Sequence, residues 1–220
     1  VDLSEGNIVA TGTLSGTEIN FRFPSVGATG NVLMAAVKAE GKTIIRNSAL
    51  EPEITSLGDF LIQLGADIQG LGTTEIEVNG VESLATEIEY TVIPDRIEAG
   101  TFLIAGALCG GNLKLTESNP EHIEAVISKL KKCGSEISIN KNTITITRDG
   151  AIKPVDIFTE PYPGFPTDIQ AQWLALMSRS NGVCQAAEGI YHDRFTHIAE
   201  LNRFGADITL NKNVAIVTGV

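Results

Sequence analysis

Gly27-Ala28-Thr29-Gly30-Asn31-Val32-Leu33-Met34-Ala35-Ala36, leading through Gly41 into Thr43-Ile44-Ile45, decides the fold because it recurs. Ile97-Glu98-Ala99-Gly100-Thr101-Phe102-Leu103-Ile104-Ala105 leads through Gly111 into Leu113-Lys114-Leu115. A third copy, Thr167-Asp168-Ile169-Gln170-Ala171-Gln172-Trp173-Leu174-Ala175-Leu176, leads through Gly182 into Val183-Cys184. The copies are spaced by about 70 residues, and self-similarity at a fixed period marks a supersecondary unit used repeatedly. Each copy continues into a second helical segment that ends in Leu64-Gly65-Ala66-Asp67-Ile68, Cys133-Gly134-Ser135-Glu136-Ile137 or Phe204-Gly205-Ala206-Asp207-Ile208.

Within each copy the first helix is almost wholly apolar, over residues 32–37, 102–108 and 173–177, which predicts burial on most sides. The second is amphipathic, with Ile54, Leu57, Leu61 and Leu64, then Ile123, Val126, Ile127 and Leu130, then Phe195, Ile198 and Leu201 at helical spacing. Gly65, Gly134 and Gly205 stand where a left-handed C-cap is expected. Short alternating segments follow in pairs, joined through polar turns such as Asn140-Lys141-Asn142 and Asn211-Lys212-Asn213, which is the hairpin signal. The unit therefore reads β-α-β-α-β-β, an α/β (α+β) pattern in which sheets with helices on one face bury the three apolar helices together. A boundary is expected near Pro94-Asp95, after the polar, punctuated stretch 81–89.

Composition narrows the partners. The chain has 220 residues, 43% hydrophobic and 20% charged, with a net charge of −11, which describes a folded protein that phosphate-rich surfaces repel. A general affinity for nucleic acid or an acidic membrane is excluded on that ground. No apolar run reaches the roughly 18 residues of a membrane helix, and no charged-then-apolar leader opens the sequence, so a cytoplasmic protein is expected. Cys109, Cys133 and Cys184 lack metal spacing and read as packing residues. His192 and His197 are poorly spaced for shared ligation, so neither a metal nor a cofactor is expected. Because Val1 is not an initiator Met and Val220 ends within a strand pattern, the chain reads as a piece of a longer protein.

Two helix starts carry the candidate chemistry. Pro161-Tyr162-Pro163-Gly164-Phe165-Pro166-Thr167-Asp168 runs a rigid turn into the third apolar helix, placing Thr167 or Asp168 at its cap or first turn. Asp168 can be an N-cap, or an ionised carboxylate, favoured by the helix N-terminus, that accepts a proton from a hydroxyl. Pro24-Ser25-Val26-Gly27-Ala28-Thr29-Gly30 occupies the matching place in copy one, where small residues and first-turn amides suit a phosphate or simply start a helix. Nearby cations are few: Arg22, Arg96 and Arg194, the last two following Asp95 and Asp193, with which local ion pairs are expected.

With these residues laid out, the chain resembles the enolpyruvyl transferases. The motifs that carry the resemblance are Phe23-Pro24-Ser25-Val26-Gly27-Ala28-Thr29, Glu51-Pro52-Glu53-Ile54, Ile93-Pro94-Asp95-Arg96-Ile97-Glu98-Ala99-Gly100-Thr101-Phe102, Phe165-Pro166-Thr167-Asp168-Ile169-Gln170-Ala171-Gln172 and Asp193-Arg194-Phe195. They run in the family's order over nearly the whole chain, and as a set they match its cell-wall branch rather than its shikimate-pathway branch. The resemblance implies six such units in two inside-out α/β barrels, of which this chain holds three. Residues 1–93 would be the third unit of the domain that bears the UDP-sugar site and the mobile loop, and residues 94–220 two units of the second barrel.

The implied reaction transfers the enolpyruvyl group of phosphoenolpyruvate to the 3-hydroxyl of UDP-N-acetylglucosamine, the first committed step of peptidoglycan precursor synthesis, without a cofactor. By resemblance Asp168 meets that hydroxyl and takes its proton. Phe23, Pro24, Ser25, Val26 and Gly27 match a segment lining the UDP-sugar site, Ile190 a contact near the uridine, and Arg194 a cleft arginine. Gly30, His192 and Asp193 depart from residues found in other members. The family's amino-terminal Lys-Asn pair, its acid-bearing loop and several phosphate-binding arginines have no counterpart among these residues, and none of the three cysteines stands in that loop's context. The rest of the parent chain is therefore expected to complete the cleft. The alternatives are a catalytically incompetent piece acting as a nucleotide-sugar-binding or folding module, a short homologue that completes its cleft by pairing with another chain, and the 3-phosphoshikimate transferase.

Overall fold

The computed structural model describes residues 2–9 and 11–220, which divide into two units, Val1–Ile93 and Pro94–Val220. In the first, β1 (Asp2–Ser4) and β2 (Asn7–Val9) form a small antiparallel hairpin. It is followed by β3 (Glu18–Asn20), α1 (Val26–Ala36), β4 (Lys42–Arg46), α2 (Pro52–Gln63), β5 (Asp67–Gln69) and β6 (Glu75–Asn79). The larger sheet has the order β3-β4-β6-β5, with β3 parallel to β4 and the other pairs antiparallel. Alternation puts Ile45, Ile76 and Val78 on the inner face, all inaccessible to solvent, against Leu33, Ile54 and Leu61 of the two helices.

The second unit holds α3 (Arg96–Cys109), β7 (Gly111–Leu115), α4 (Glu124–Lys132), β8 (Glu136–Asn140), β9 (Thr143–Arg148), β10 (Ile157–Phe158), α5 (Gln170–Met177), β11 (Val183–Ala187), α6 (Ile198–Arg203), β12 (Asp207–Asn211) and β13 (Val214–Thr218). A three-stranded sheet has the order β7-β9-β8 and a four-stranded one β10-β11-β13-β12, the last repeating the parallel-then-antiparallel pattern of the first unit. Helices α4, α5 and α6 are each entered through a 3-10 turn, at Pro120–Ile123, Thr167–Ile169 and Arg194–His197.

The repeated β-α-β-α-β-β unit is thus present, and its caps are the most uniform part of it. Gly65, Gly134 and Gly205 adopt φ of 105°, 104° and 95°, a region that a Cβ disfavours. After each, an N–H reaches back to close the helix end: Ala66 to Leu61, Ser135 to Leu130 and Ala206 to Leu201, at 3.0–3.1 Å.

Three expectations need correction. The three apolar helices do not share one core. Helix α1 belongs to the cluster of the first unit, while α3 and α5 pack against each other in a separate cluster in the second. Nor are α1 and α3 buried on most sides, since Met34, Phe102 and Cys109 are exposed; only α5, carrying inaccessible Trp173, Leu174, Leu176 and Met177, fits that description. Copy two also lacks its leading strand. The stretch before Pro94 is held by side chains instead: Tyr90 Oη hydrogen-bonds the Ser56 hydroxyl at 2.8 Å and its carbonyl at 2.9 Å, and the ring meets Phe60 edge-on.

Candidate active site

The approach to α5 is rigid because its polar groups are closed locally. Gly164 N–H donates to the Pro161 carbonyl at 2.8 Å, Glu160 N–H to that of Phe165 at 3.1 Å, and the Tyr162-Pro163 peptide is cis. Phe165, 3% exposed, meets Trp173 edge-on at 5.4 Å between centroids, which pins the turn to the helix that follows. Behind it, Gly100 of α3 admits the inaccessible side chain of Ile169, whose Cδ1 would lie 2.4 Å from a Cβ placed there.

Held between Thr167 and Ile169, Asp168 is not an N-cap. Pro166 stands at the cap position and makes no side-chain capping bond, so the Asp168 carboxylate is left to face outward, 53% exposed. Its partner is Arg194, whose Nη2 lies 3.0 Å from Oδ1. The expected local pair of Arg194 with Asp193 is therefore replaced by one with a residue on another segment. The guanidinium also covers the Tyr191 ring at 5.5 Å, and its buried Nε has no hydrogen-bond partner. Arg96 lies over the Tyr162 ring at 5.6 Å, while Asp95 caps α3 through the N–H groups of Ile97 and Glu98.

A residue that the sequence did not single out underlies this arrangement. Glu188, directly after β11, is inaccessible to solvent. Its Oε1 accepts from the Thr159 hydroxyl at 2.6 Å, the Thr167 hydroxyl at 3.0 Å, and the N–H groups of Ile190 at 2.9 Å and Tyr191 at 3.0 Å. Oε2 accepts from Gln170 Nε2 at 2.9 Å. Burial pushes its pKa up, but the hydrogen bonds from Thr159, Tyr191, Ile190 and Thr167 outweigh burial and hold it below the ordinary value. The only sequence signal is an acidic residue closing an apolar strand before Gly189, which is common at strand ends.

His197 stands at the end of the 3-10 turn that begins with Arg194. Burial lowers its pKa, a hydrogen bond with the Arg194 backbone raises it, and the Arg194 charge lowers it again, for a net downward shift. Ile190 is half-buried beside this turn.

In the first unit, Ser25 is the N-cap of α1, accepting from Ala28 N–H at 3.3 Å. Phe23 is 43% exposed, Pro24, Ser25 and Val26 are half-buried, and Gly27 is exposed, with open space where a Cβ would stand. This face can be approached closely by a ligand. Gly30 cannot serve that purpose, because it is buried toward Leu57 and Ile54 of α2. Thr29 is likewise turned inward, its hydroxyl accepting from Ala49 N–H at 3.1 Å.

Among the cysteines, Cys133 and Cys184 are buried as packing residues, with burial raising the thiol of Cys184 to about 11, whereas Cys109 is exposed at the end of α3. Among the described residues no group of three or more His, Cys, Asp or Glu side chains could hold a metal, and no helix is long and apolar enough to cross a membrane.

The fold of repeated β-α-β-α-β-β units that carries this aspartate and arginine has a counterpart among solved structures. The enolpyruvyl transferase NikO from Streptomyces tendae superposes with a TM-score of 0.83 at 24% identity, over 94% of this chain and 52% of that one, a likeness in fold. The EPSP synthase (3-phosphoshikimate 1-carboxyvinyltransferase) family matches residues 3–220, and the chain belongs to that family. It is 49% identical over 213 residues to UDP-N-acetylglucosamine 1-carboxyvinyltransferase of Chlorobium chlorochromatii, covering 97% of this chain and 50% of the relative. To the protein of the same name from Prosthecochloris aestuarii it is 50% identical over 211 residues, covering 96% and 49%. The chain thus spans about half the length of the relatives it matches.

Proposed function

We propose that the parent protein transfers the enolpyruvyl group of phosphoenolpyruvate to the 3-hydroxyl of UDP-N-acetylglucosamine, in the cytoplasm, as the first committed step of peptidoglycan precursor synthesis. The observation that carries this reading is the exposed Asp168 carboxylate fixed against Arg194. The names of relatives at 49% and 50% identity favour this acceptor over 3-phosphoshikimate.

Asp168 accepts the proton of the sugar hydroxyl as its oxygen bonds to C2 of phosphoenolpyruvate. C3 gains a proton in the addition and loses one in the elimination, when the bond from C2 to the phosphate oxygen breaks. The Arg194 guanidinium orients Asp168 and places positive charge beside the reacting oxygens. Ile190 contributes an apolar contact near the uridine. Phe23, Pro24, Ser25, Val26 and Gly27 form the segment that lines the nucleotide-sugar site, residues 1–93 acting as the third unit of the domain bearing that site and residues 94–220 as two units of the second barrel. The acid that protonates C3 and most of the phosphate-binding cations come from the remainder of the parent chain.

The test is phosphate release by the full-length parent. Release is expected only with phosphoenolpyruvate and UDP-N-acetylglucosamine together, and Asp168→Ala is expected to lower it by at least about a hundredfold, the scale of a lost general base. Unchanged turnover in that variant removes Asp168 from the role.

A further inference from the structure

Glu188 is a fully buried carboxylate to which the proposed chemistry assigns no task. Burying an ionised group without a cation is costly unless hydrogen bonds replace its water, and here five donors do so. Where those donors come from is informative. Thr167 precedes Asp168 and Gln170 opens α5, so one side of the carboxylate holds the segment that carries Asp168. The N–H groups of Ile190 and Tyr191 hold the other side, and Tyr191 then accepts from Arg194 N–H at 3.0 Å through its carbonyl. Thr159 completes the frame: its hydroxyl donates to Glu188 and accepts from Gly189 N–H at 2.9 Å. The strand end itself is anchored by Asn213, whose carbonyl takes the Glu188 N–H at 2.8 Å and whose side-chain amide donates to the Glu188 carbonyl at 3.0 Å.

We infer that Glu188 is a positioning residue that fixes the Asp168 segment and the Ile190–Arg194 turn against each other, and thereby sets the 3.0 Å contact between Asp168 and Arg194. The inference rests on the proposed role of Asp168. A carboxylate is the group for this task because it is acceptor-only, and all five neighbouring groups donate to it. Glu188→Gln keeps the shape but turns one of its two oxygens into an NH2 group: set toward Ile190 and Tyr191 it meets N–H groups that cannot accept, and set toward Gln170 it is matched only when that amide turns its own unpartnered oxygen inward. In either setting the charge that strengthens all five hydrogen bonds is lost, and the hold on the two segments loosens. Misplacement of a reacting group by about an ångström can cost on the order of a hundredfold in rate.

The test is a double-mutant cycle in the full-length parent, read as kcat at saturating phosphoenolpyruvate and UDP-N-acetylglucosamine. E188Q is expected to lower kcat by about tenfold to a hundredfold on the wild-type background. On the R194A background, where the contact it sets is already gone, it is expected to cost less than about threefold. A generally damaged fold would impose the same factor on both backgrounds. That result, or wild-type kcat in E188Q, overturns the inference. If E188Q does not fold, T167V carries the same cycle, since it removes one donor beside Asp168 and leaves the other four. Asp168→Ala separates the two readings: turnover that survives it sinks the proposed role of Asp168, whereas turnover lost in it together with additive factors for E188Q sinks only the role of Glu188.

Discussion

Asp168 and Glu188 carry the same chemical group into opposite surroundings. Asp168 lies half-exposed beside one cation, while Glu188 is sealed among neutral donors. That contrast makes Glu188, with His197, a source of pH-dependent stability. Glu188 titrates below its ordinary 4.5 in the folded chain, so its contribution is full above about 4.5 and is lost as the pH falls through the folded value. His197 titrates below its ordinary 6.5, so its contribution is full above about 6.5 and declines as the half-buried imidazole must take a charge. In both cases the unfolded chain binds more protons, and acid destabilises. The net charge of −11 works the other way, because lowering the pH relieves repulsion, so the prediction concerns differences between proteins. The thermal midpoint of the wild-type chain minus that of H197Q should shrink as the pH is lowered from about 7.5 to about 5.5. The corresponding difference for E188Q should hold to about pH 5 and shrink below it. A difference that stays flat with pH removes the titration of that residue from the account.

At the scale of elements, what was legible in the sequence is what depends on short-range physics. The left-handed glycine after each amphipathic helix and the two-residue turns between paired strands could be read because backbone conformation and alternation are written locally. The burial of Ile123, Val126, Ile127 and Leu130 followed from helical spacing alone. The missing leading strand of copy two was not legible, since only a neighbour decides whether the residues before Pro94 pair. The site divides in the same way. Asp168 and Arg194 could each be singled out from their motifs, but their contact joins segments from two helix starts, and Glu188 gains its character only from donors on three separate segments. Gly100 tests how tightly the scaffold holds this region. An alanine in mid-helix is better than glycine by about 1 kcal/mol on propensity. Here, however, its Cβ would lie 2.4 Å from Ile169 Cδ1 and 3.0 Å from Ile123 Cδ1, so the ends of two buried side chains must shift to admit it. Gly100→Ala is therefore expected to destabilise the second unit by about 1–3 kcal/mol, as overpacking does. Chemical denaturation would measure it, and a stabilised variant would mean that Ile169 is not held as tightly as its burial suggests.

At the scale of the whole molecule, repetition supplies the scaffold and the differences among copies supply the chemistry. Copy one presents an exposed Gly27 beside the Ser25 cap, copy two a helix start capped by Asp95, and copy three an aspartate freed by Pro166 to face an arginine. Under the proposed function only the last meets the reacting hydroxyl, and by itself it offers one carboxylate and one cation. Addition to and elimination from phosphoenolpyruvate also require an acid at C3 and enough positive charge to bind the phosphate and let it leave. Arg194 is already engaged by Asp168, and Arg96 lies over an aromatic ring. The 220-residue chain alone is therefore expected to release no phosphate from phosphoenolpyruvate in the presence of UDP-N-acetylglucosamine, under conditions in which the full-length parent turns over. Removing a positioned acid costs about 10²- to 10⁴-fold, and the loss of the phosphate cations compounds it, which puts the rate below detection. Measurable turnover by the isolated chain, abolished by Asp168→Ala, would show that its own residues supply an acid and an anion site.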